Sequence, residues 1–287
     1  MTEINLERLS AYRAKIFRTR PDLILKTIDQ AVNFVNERGF IYFWPNKGYL
    51  LPSLWNAVAG DRPVPDDHDD PAHISWDWKD KMLGKRAWYY GRLVRRRNTI
   101  VSLATAPYFY ALSPNYGDYE LDYLDQYEMG ALNNESKNIY ESLLKEGPLD
   151  TISLRKAAHL TARDSSSHFN RALEDLQVEM KIIPIGTAEV GAWKYAFVYD
   201  IAARHFPDLD AQARTISEEE AHAHLAGLYF QSIGAASVNE LRRMFSWRPA
   251  DCQRALETAI QTGLVIAGLS LQGQKSEWVA VGEVIRE

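Results

Sequence analysis

Cysteine is all but missing from this sequence: Cys252 is the single thiol in 287 residues. One thiol cannot close an internal disulfide or build a cysteine zinc site, so disulfide scaffolds, such metal centres and dithiol redox chemistry are excluded. Long apolar runs are missing too. Nothing approaches the ~18 consecutive apolar residues of a membrane span, and residues 1–10 have no basic segment followed by an apolar stretch. A protein of the cytoplasm with no membrane partner is expected. The 16 glycines form no phosphate cradle, and neither a GxSxG elbow nor an HExxH pair occurs. No cofactor and no metal is indicated. Positive charge is also in deficit: 33 Lys and Arg face 38 Asp and Glu, a net charge of -5. That balance disfavours non-specific coating of nucleic acid, whose affinity comes from neutralising phosphates. Any nucleic-acid contact has to come from a local basic patch.

What is present is ordinary globular material, 46% hydrophobic and 25% charged, enough for two or three compact units with order nearly throughout. The C-terminal pattern is clearest. Ser217 with Glu220 and Ser237 with Glu240 have the spacing of capping boxes, in which a serine oxygen accepts from a backbone N–H three residues on while the glutamate reaches back. They predict a helix to Ile233 and a shorter one carrying Leu241, Met244 and Phe245. Pro249 suits a first helical position. Cys252, Ala255, Leu256, Ala259 and Ile260 then follow the helical rhythm until Gly263. Strands are expected at 264–270 and 277–281, joined by a polar turn at 272–275. Helix, helix, turn, helix and hairpin is the winged helix-turn-helix order.

The same order is expected earlier: a helix over 135–146 closed by Gly147-Pro148, a short helix over 153–159, and a third helix capped by Asp164 with Phe169, Leu173 and Leu176 inward. Strands at 181–185 and 194–199 complete it. Residues 202–213 read as a connector. The N-terminal part is less regular, with a capping box at Thr27 and Gln30 before a helix that stops at Gly39, and a Pro- and Asp-rich surface loop at 62–72. The expected fold is therefore mainly α with small β-hairpins, an α+β protein of three tandem winged helix-turn-helix modules. Their bounds are 1–125, modified by the inserted loop, then 126–205 and 214–287.

Two basic clusters stand out. Lys85, Arg86, Arg92, Arg95, Arg96 and Arg97 are interleaved with Trp88, Tyr89 and Tyr90 on a predicted helix running into an extended segment at 99–103. Guanidinium groups clamp phosphates and aromatic faces stack on bases; equally, such a stretch is a solvated face with aromatics turned to the core. On the predicted third helix of the middle module, Arg163, Ser165, His168 and Arg171 crowd the N-terminal half, where hydroxyls and backbone N–H groups meet phosphate. The corresponding C-terminal helix exposes Gln253, Arg254, Glu257, Thr258 and Gln261, a poorer face for DNA. The acidic run at 66–70 with His73 is a solvated loop. His222 and His224 lie two apart on a helix and cannot share a metal.

The order of modules, together with Gly39-Phe-Ile-Tyr-Phe-Trp44, the stretch from Trp76-Asp-Trp-Lys79 to Tyr90-Gly-Arg92, and Tyr108-Phe-Tyr-Ala-Leu112, resembles the AlkZ/YcaQ-like family. The resemblance implies three winged helices and a DNA partner, in a family whose best-known branch are DNA glycosylases that unhook interstrand crosslinks and remove alkylated bases. That branch carries Gln-x-Gln or Gln-x-Asp shortly after the helix-ending glycine. Here those positions read Tyr42-Phe43-Trp44. Glycosidic hydrolysis needs groups that orient water and stabilise positive charge on the sugar; tryptophan does neither, and a phenol with a pKa near 10 is a poor base at neutral pH. The expectation is a DNA-binding protein, compatible with a monomer, that has lost the catalytic pair. Two alternatives stand beside it: a glycosylase using another carboxylate, Asp77 or Glu120, and a protein-interaction scaffold or transcriptional regulator.

Overall fold

The computed structural model describes residues 2–67, 69–162, 165–271 and 276–285. Arg163, the expected cap Asp164 and the turn at 272–275 lie outside them. Within the described residues one order of elements occurs three times: a helix, a short strand, two helices and a hairpin. The first repeat comprises helix Ile28–Arg38, strand Phe40–Tyr42, helices Leu54–Ala59 and Ile74–Leu83, and strands Tyr89–Gly91 and Thr99–Val101. In the second these are Asn134–Glu146, Leu149–Asp150, Thr151–Ala157, Ser166–Val178, Ile182–Ala188 and Ala196–Ile201. The third has Glu218–Ile233, Ala235–Ala236, Val238–Phe245, Pro249–Gln261, Val265–Ser270 and Trp278–Val281. In each sheet the short strand pairs antiparallel with the last strand of the hairpin, which is thereby central. The fold is α+β, mostly helical with small sheets.

Local chemistry explains the elements. Thr27 with Gln30 and Ser237 with Glu240 form complete capping boxes, and Ser217 accepts from the Glu220 N–H, satisfying donors that open a helix. The three leading helices end at Gly39, Gly147 and Gly234, with φ of 76°, 83° and 80°. Each glycine turns the chain out of the helix toward the short strand, which begins at the next residue after Gly39 and Gly234 and after Pro148 in the second repeat, through a conformation that a Cβ makes costly. Pro249 opens its helix at the first turn.

Two expectations are corrected. Residues 85–97 are not a helix: Tyr89–Gly91 and Thr99–Val101 pair antiparallel, with a 3₁₀ turn at Val94–Arg96 between them. Aromatic and β-branched residues alternate here with period two, so Tyr89 and Val101 enter one core while Tyr90 and Ile100 enter another. The stretch 202–213 is more than a connector, since it folds into helices Ala202–His205 and Leu209–Ala213 and buries Leu209.

The cores decide which elements stand together. The largest draws on all three repeats: Phe40, Tyr42 and Val101 of the first and Met180 and Ile183 of the second pack with Leu225, Phe230 and Met244 of the third, while the first repeat has a further core of its own around Phe34, Ile41 and Trp88. The second repeat has its own core around Ile139, Leu143, Phe169 and Leu176. The N-terminus joins the third repeat: strand Thr2–Glu3 pairs parallel with Val265–Ser270, and helix Leu6–Ile16 lies against Glu218–Ile233 and Gly282–Ile285. Among the described residues no helix is long and apolar enough to cross a membrane.

Candidate nucleic-acid interface

The arginines of the first hairpin occupy its turn, which projects against helix Ser166–Val178 of the second repeat and helix Val238–Phe245 of the third. Arg92 faces Glu174 at 3.5 Å, and Arg96 pairs with Asp175 and Glu174. Arg95 donates to the Tyr49 hydroxyl at 2.7 Å and to Ser246 Oγ, and its guanidinium lies 4.5 Å from the Tyr49 ring centre. Arg97 is exposed. Arg95 and Arg96 both have positive φ, 53° and 56°, a region that costs non-glycine residues about 1–3 kcal/mol each. Two arginines therefore stand where glycine would be cheaper.

The basic stretch does not act as one surface. Lys85 and Arg86 are exposed before the first hairpin strand, at the opposite end from the turn, and Arg86 lies near His205. Trp88, Tyr89 and Tyr90 are buried at 1%, 0% and 2% exposure, so these rings are core and not stacking platforms. On helix Ser166–Val178 the Ser165 hydroxyl donates to the carbonyls of Leu160 and Ala162, and Ser166 accepts from Arg155. Those two hydroxyls fix the start of the helix. His168, 3.8 Å from Glu135, and Arg171 are exposed.

Tyr42 is fully buried; its hydroxyl reaches Met244 Sδ at 3.6 Å, and burial raises its pKa. Trp44 turns the other way, into a group of rings with Trp55, Trp76 and His73. On the far side of Met244 from Tyr42, where the three repeats meet, is a cavity of about 470 Å³. Arg95 and Arg96 of the hairpin turn, Glu179 of the second repeat, and Met244, Phe245 and Trp247 of the third line it. Phe245 and Trp247 are stacked, with ring centres 4.1 Å apart. Burial raises the Glu179 pKa, opposed by Lys181 and Arg96. Asp77 and Glu120 are both on the surface; Asp77 pairs with Lys81 at 2.7 Å.

A second group escaped the sequence reading. Lys79, 1% exposed, pairs with Asp80 at 2.6 Å and donates to the Tyr195 hydroxyl at 3.0 Å, which in turn donates to Asp80. Its ammonium lies 4.5 Å from the Phe197 ring centre and 4.7 Å from that of Trp76. Burial lowers the Lys79 pKa, and Asp80 opposes that shift. The signal was available: Ser75, Trp78, Lys79, Met82 and Leu83 fall on one helical stripe, which places the lysine inward. Nothing in the sequence marks Glu179, which lies just past a helix end.

No protein with a curated description matches this chain. The structure is similar to that of the Streptomyces sahachiroi DNA glycosylase AlkZ, with a TM-score of 0.62 at 12% identity, over 98% of this chain and 71% of that one. At that identity the likeness is one of fold. A family model described as AlkZ related matches residues 25–246, from the helix that opens the first repeat to the second helix of the third. The chain belongs to the AlkZ-related family.

Proposed function

We propose that this protein binds duplex DNA through three tandem winged helix-turn-helix modules, over 1–125, 126–205 and 214–287, without the base-excision chemistry of a glycosylase. One observation carries the reading: four arginines occupy a single hairpin turn set against helices of both other repeats, two of them in a backbone conformation that favours glycine. Costly local conformations persist where the surroundings hold them, and they cluster at functional sites. Guanidinium groups so held meet phosphate without losing much side-chain freedom on binding. Glu174 and Asp175 neutralise Arg92 and Arg96 in part, so DNA has to compete for those two, while Arg97 is open. His168 and Arg171 flank the same interface from the second module. Lys85 and Arg86 contribute only at long range.

The case against glycosylase chemistry rests on Tyr42 and Trp44. Both positions of the family motif carry aromatic side chains, one sealed in the core and the other packed among rings. Neither offers a base for water.

The test is fluorescence anisotropy on undamaged and alkylated duplexes over a salt series. Wild-type binding is expected to weaken as salt rises, with a slope that Arg96→Gly and Arg97→Ala each reduce by about one. Failure to bind any duplex at low salt overturns the reading and favours a protein partner. Release of an alkylated base overturns the non-catalytic part alone.

A further inference from the structure

Two tyrosines between the first and second repeats carry hydroxyls with nothing to bond. Tyr90, on the first hairpin, and Tyr199, on the second, are 2% and 5% exposed, and among the described residues neither hydroxyl makes a hydrogen bond. The neighbouring Tyr89 hydroxyl is sealed in the core; those of Tyr90 and Tyr199 are not, and both residues line a cleft of about 610 Å³ between the two repeats. Buried polar side chains without a partner are rare and call for an explanation. Arg92 lines the same cleft. Its ion pair with Glu174, at 3.5 Å, is longer than the about 2.7–2.9 Å of a charged hydrogen bond, so its N–H groups are not used up. Burial raises the pKa of both phenols and Arg92 opposes the rise in both. The three groups therefore stand near one another, and both phenols are neutral donors. Beside them the cleft is apolar: the Phe197 ring centre lies 6.1 Å from that of each tyrosine, and Leu173 adds an aliphatic face.

We infer that this cleft binds a small aromatic carboxylate, its ring against Phe197 and Leu173 and its carboxylate accepting from the hydroxyls of Tyr90 and Tyr199 and from Arg92. The volume is that of a small-molecule site, where a mostly apolar lining carries a few convergent polar groups. A carboxylate has lone pairs for all three donors and meets a guanidinium fork in its own plane, while an attached ring covers the apolar floor. A phosphodiester would engage the donors and leave the rings uncovered. An uncharged hydrocarbon would cover the rings and strand the donors. Glu174 also lines the cleft, but Arg96 shares it at 3.8 Å, so its charge stays compensated when the ligand takes Arg92. Binding of such a molecule goes beyond the DNA reading and does not depend on it.

The test is isothermal titration calorimetry of the full chain with benzoate, indole-3-acetate and biphenyl-4-carboxylate, each beside its primary amide, and with inorganic phosphate. At least one carboxylate is expected to bind saturably, one per chain, with its amide and phosphate each weaker by about tenfold or more. Arg92→Met should weaken that carboxylate by about tenfold, and so should the double variant Tyr90→Phe with Tyr199→Phe. The double variant should melt no lower than the wild type, because neither hydroxyl has a protein partner to lose. Its loss of binding then reports the site and not the fold. Three results overturn the inference: no carboxylate binds, amide or phosphate binds as tightly as the carboxylate, or both variants bind like the wild type. A double variant that melts lower overturns it as well, since the hydroxyls would then have a structural task. None of these measurements contains DNA, so the inference and the DNA reading fail separately.

Discussion

Gly39, Gly147 and Gly234 do the same backbone task in different surroundings, so they separate two costs. An added Cβ at Gly39 would stand 2.5 Å from Leu228 Cδ1 and 2.9 Å from Thr105 Oγ1, whereas at Gly147 it meets nothing within 4 Å. Gly147→Ala should therefore cost only the positive φ, about 1–2 kcal/mol. Gly39→Ala adds overpacking and should cost about 3 kcal/mol or more. Urea denaturation of both variants checks the difference, and equal values would remove the packing argument. His222 offers a pH test at the same scale. Burial lowers its pKa in the folded state, as it does for His205 and His224, against about 6.5 in the unfolded chain. The unfolded state thus binds the proton more tightly. The contribution of these histidines is complete above pH 6.5 and is lost as pH falls through that value toward the lower folded-state values. The urea midpoint should fall between pH 7.5 and pH 5.5, and His222→Gln should make that fall shallower.

At the scale of elements, the helix Ile74–Leu83 is fastened to the second hairpin by Lys79, Asp80 and Tyr195. Removing the carboxylate leaves an ammonium buried among rings, so Asp80→Ala should cost about 3–5 kcal/mol, while Lys79→Met, which refills the box with an apolar chain, should be much milder. Calorimetric melting of the two variants decides this. The reverse order would mean that the cation's contacts with the rings outweigh its desolvation. The arginine turn makes a different statement. Because Arg96 sits at φ 56°, Arg96→Gly relieves backbone strain and gives up an ion pair whose arginine is half exposed, the sort of contact worth about 0–1 kcal/mol. It should leave the fold as stable or slightly more stable, yet lower DNA affinity. A variant that loses both stability and affinity would assign the strain to folding.

Across the whole molecule, the cores do not follow the three repeats one to one. The first and second repeats each close a core of their own, yet the first also lends Phe40, Tyr42 and Val101, and the second Met180 and Ile183, to a core completed by the third. Residues 25–112 expressed alone should be less stable by circular dichroism than residues 118–205, because they leave more of the shared core uncovered: Phe40, Tyr42, Leu51, Tyr89 and Val101 against Met180 and Ile183. A 25–112 fragment as stable as 118–205 would show that the shared core is dispensable.

The sequence by itself determined the order of helices and hairpin in the second and third repeats. Capping boxes, helix-ending glycines, Pro249 and the helical and two-residue rhythms are local signals, and each acts within a few residues of where it is written. It also determined that Tyr42 and Trp44 carry no water-activating group. Helix and hairpin could not be told apart at 85–97, because charged residues between aromatic ones satisfy either period until a partner strand exists. Only the tertiary structure decided that Trp88, Tyr89 and Tyr90 are core, that the N-terminal strand belongs to the C-terminal sheet, and that Arg95 and Glu179, 84 positions apart, share a cavity. Such proximities depend on burying apolar faces against distant segments, and no pattern within a single segment encodes which segment that will be.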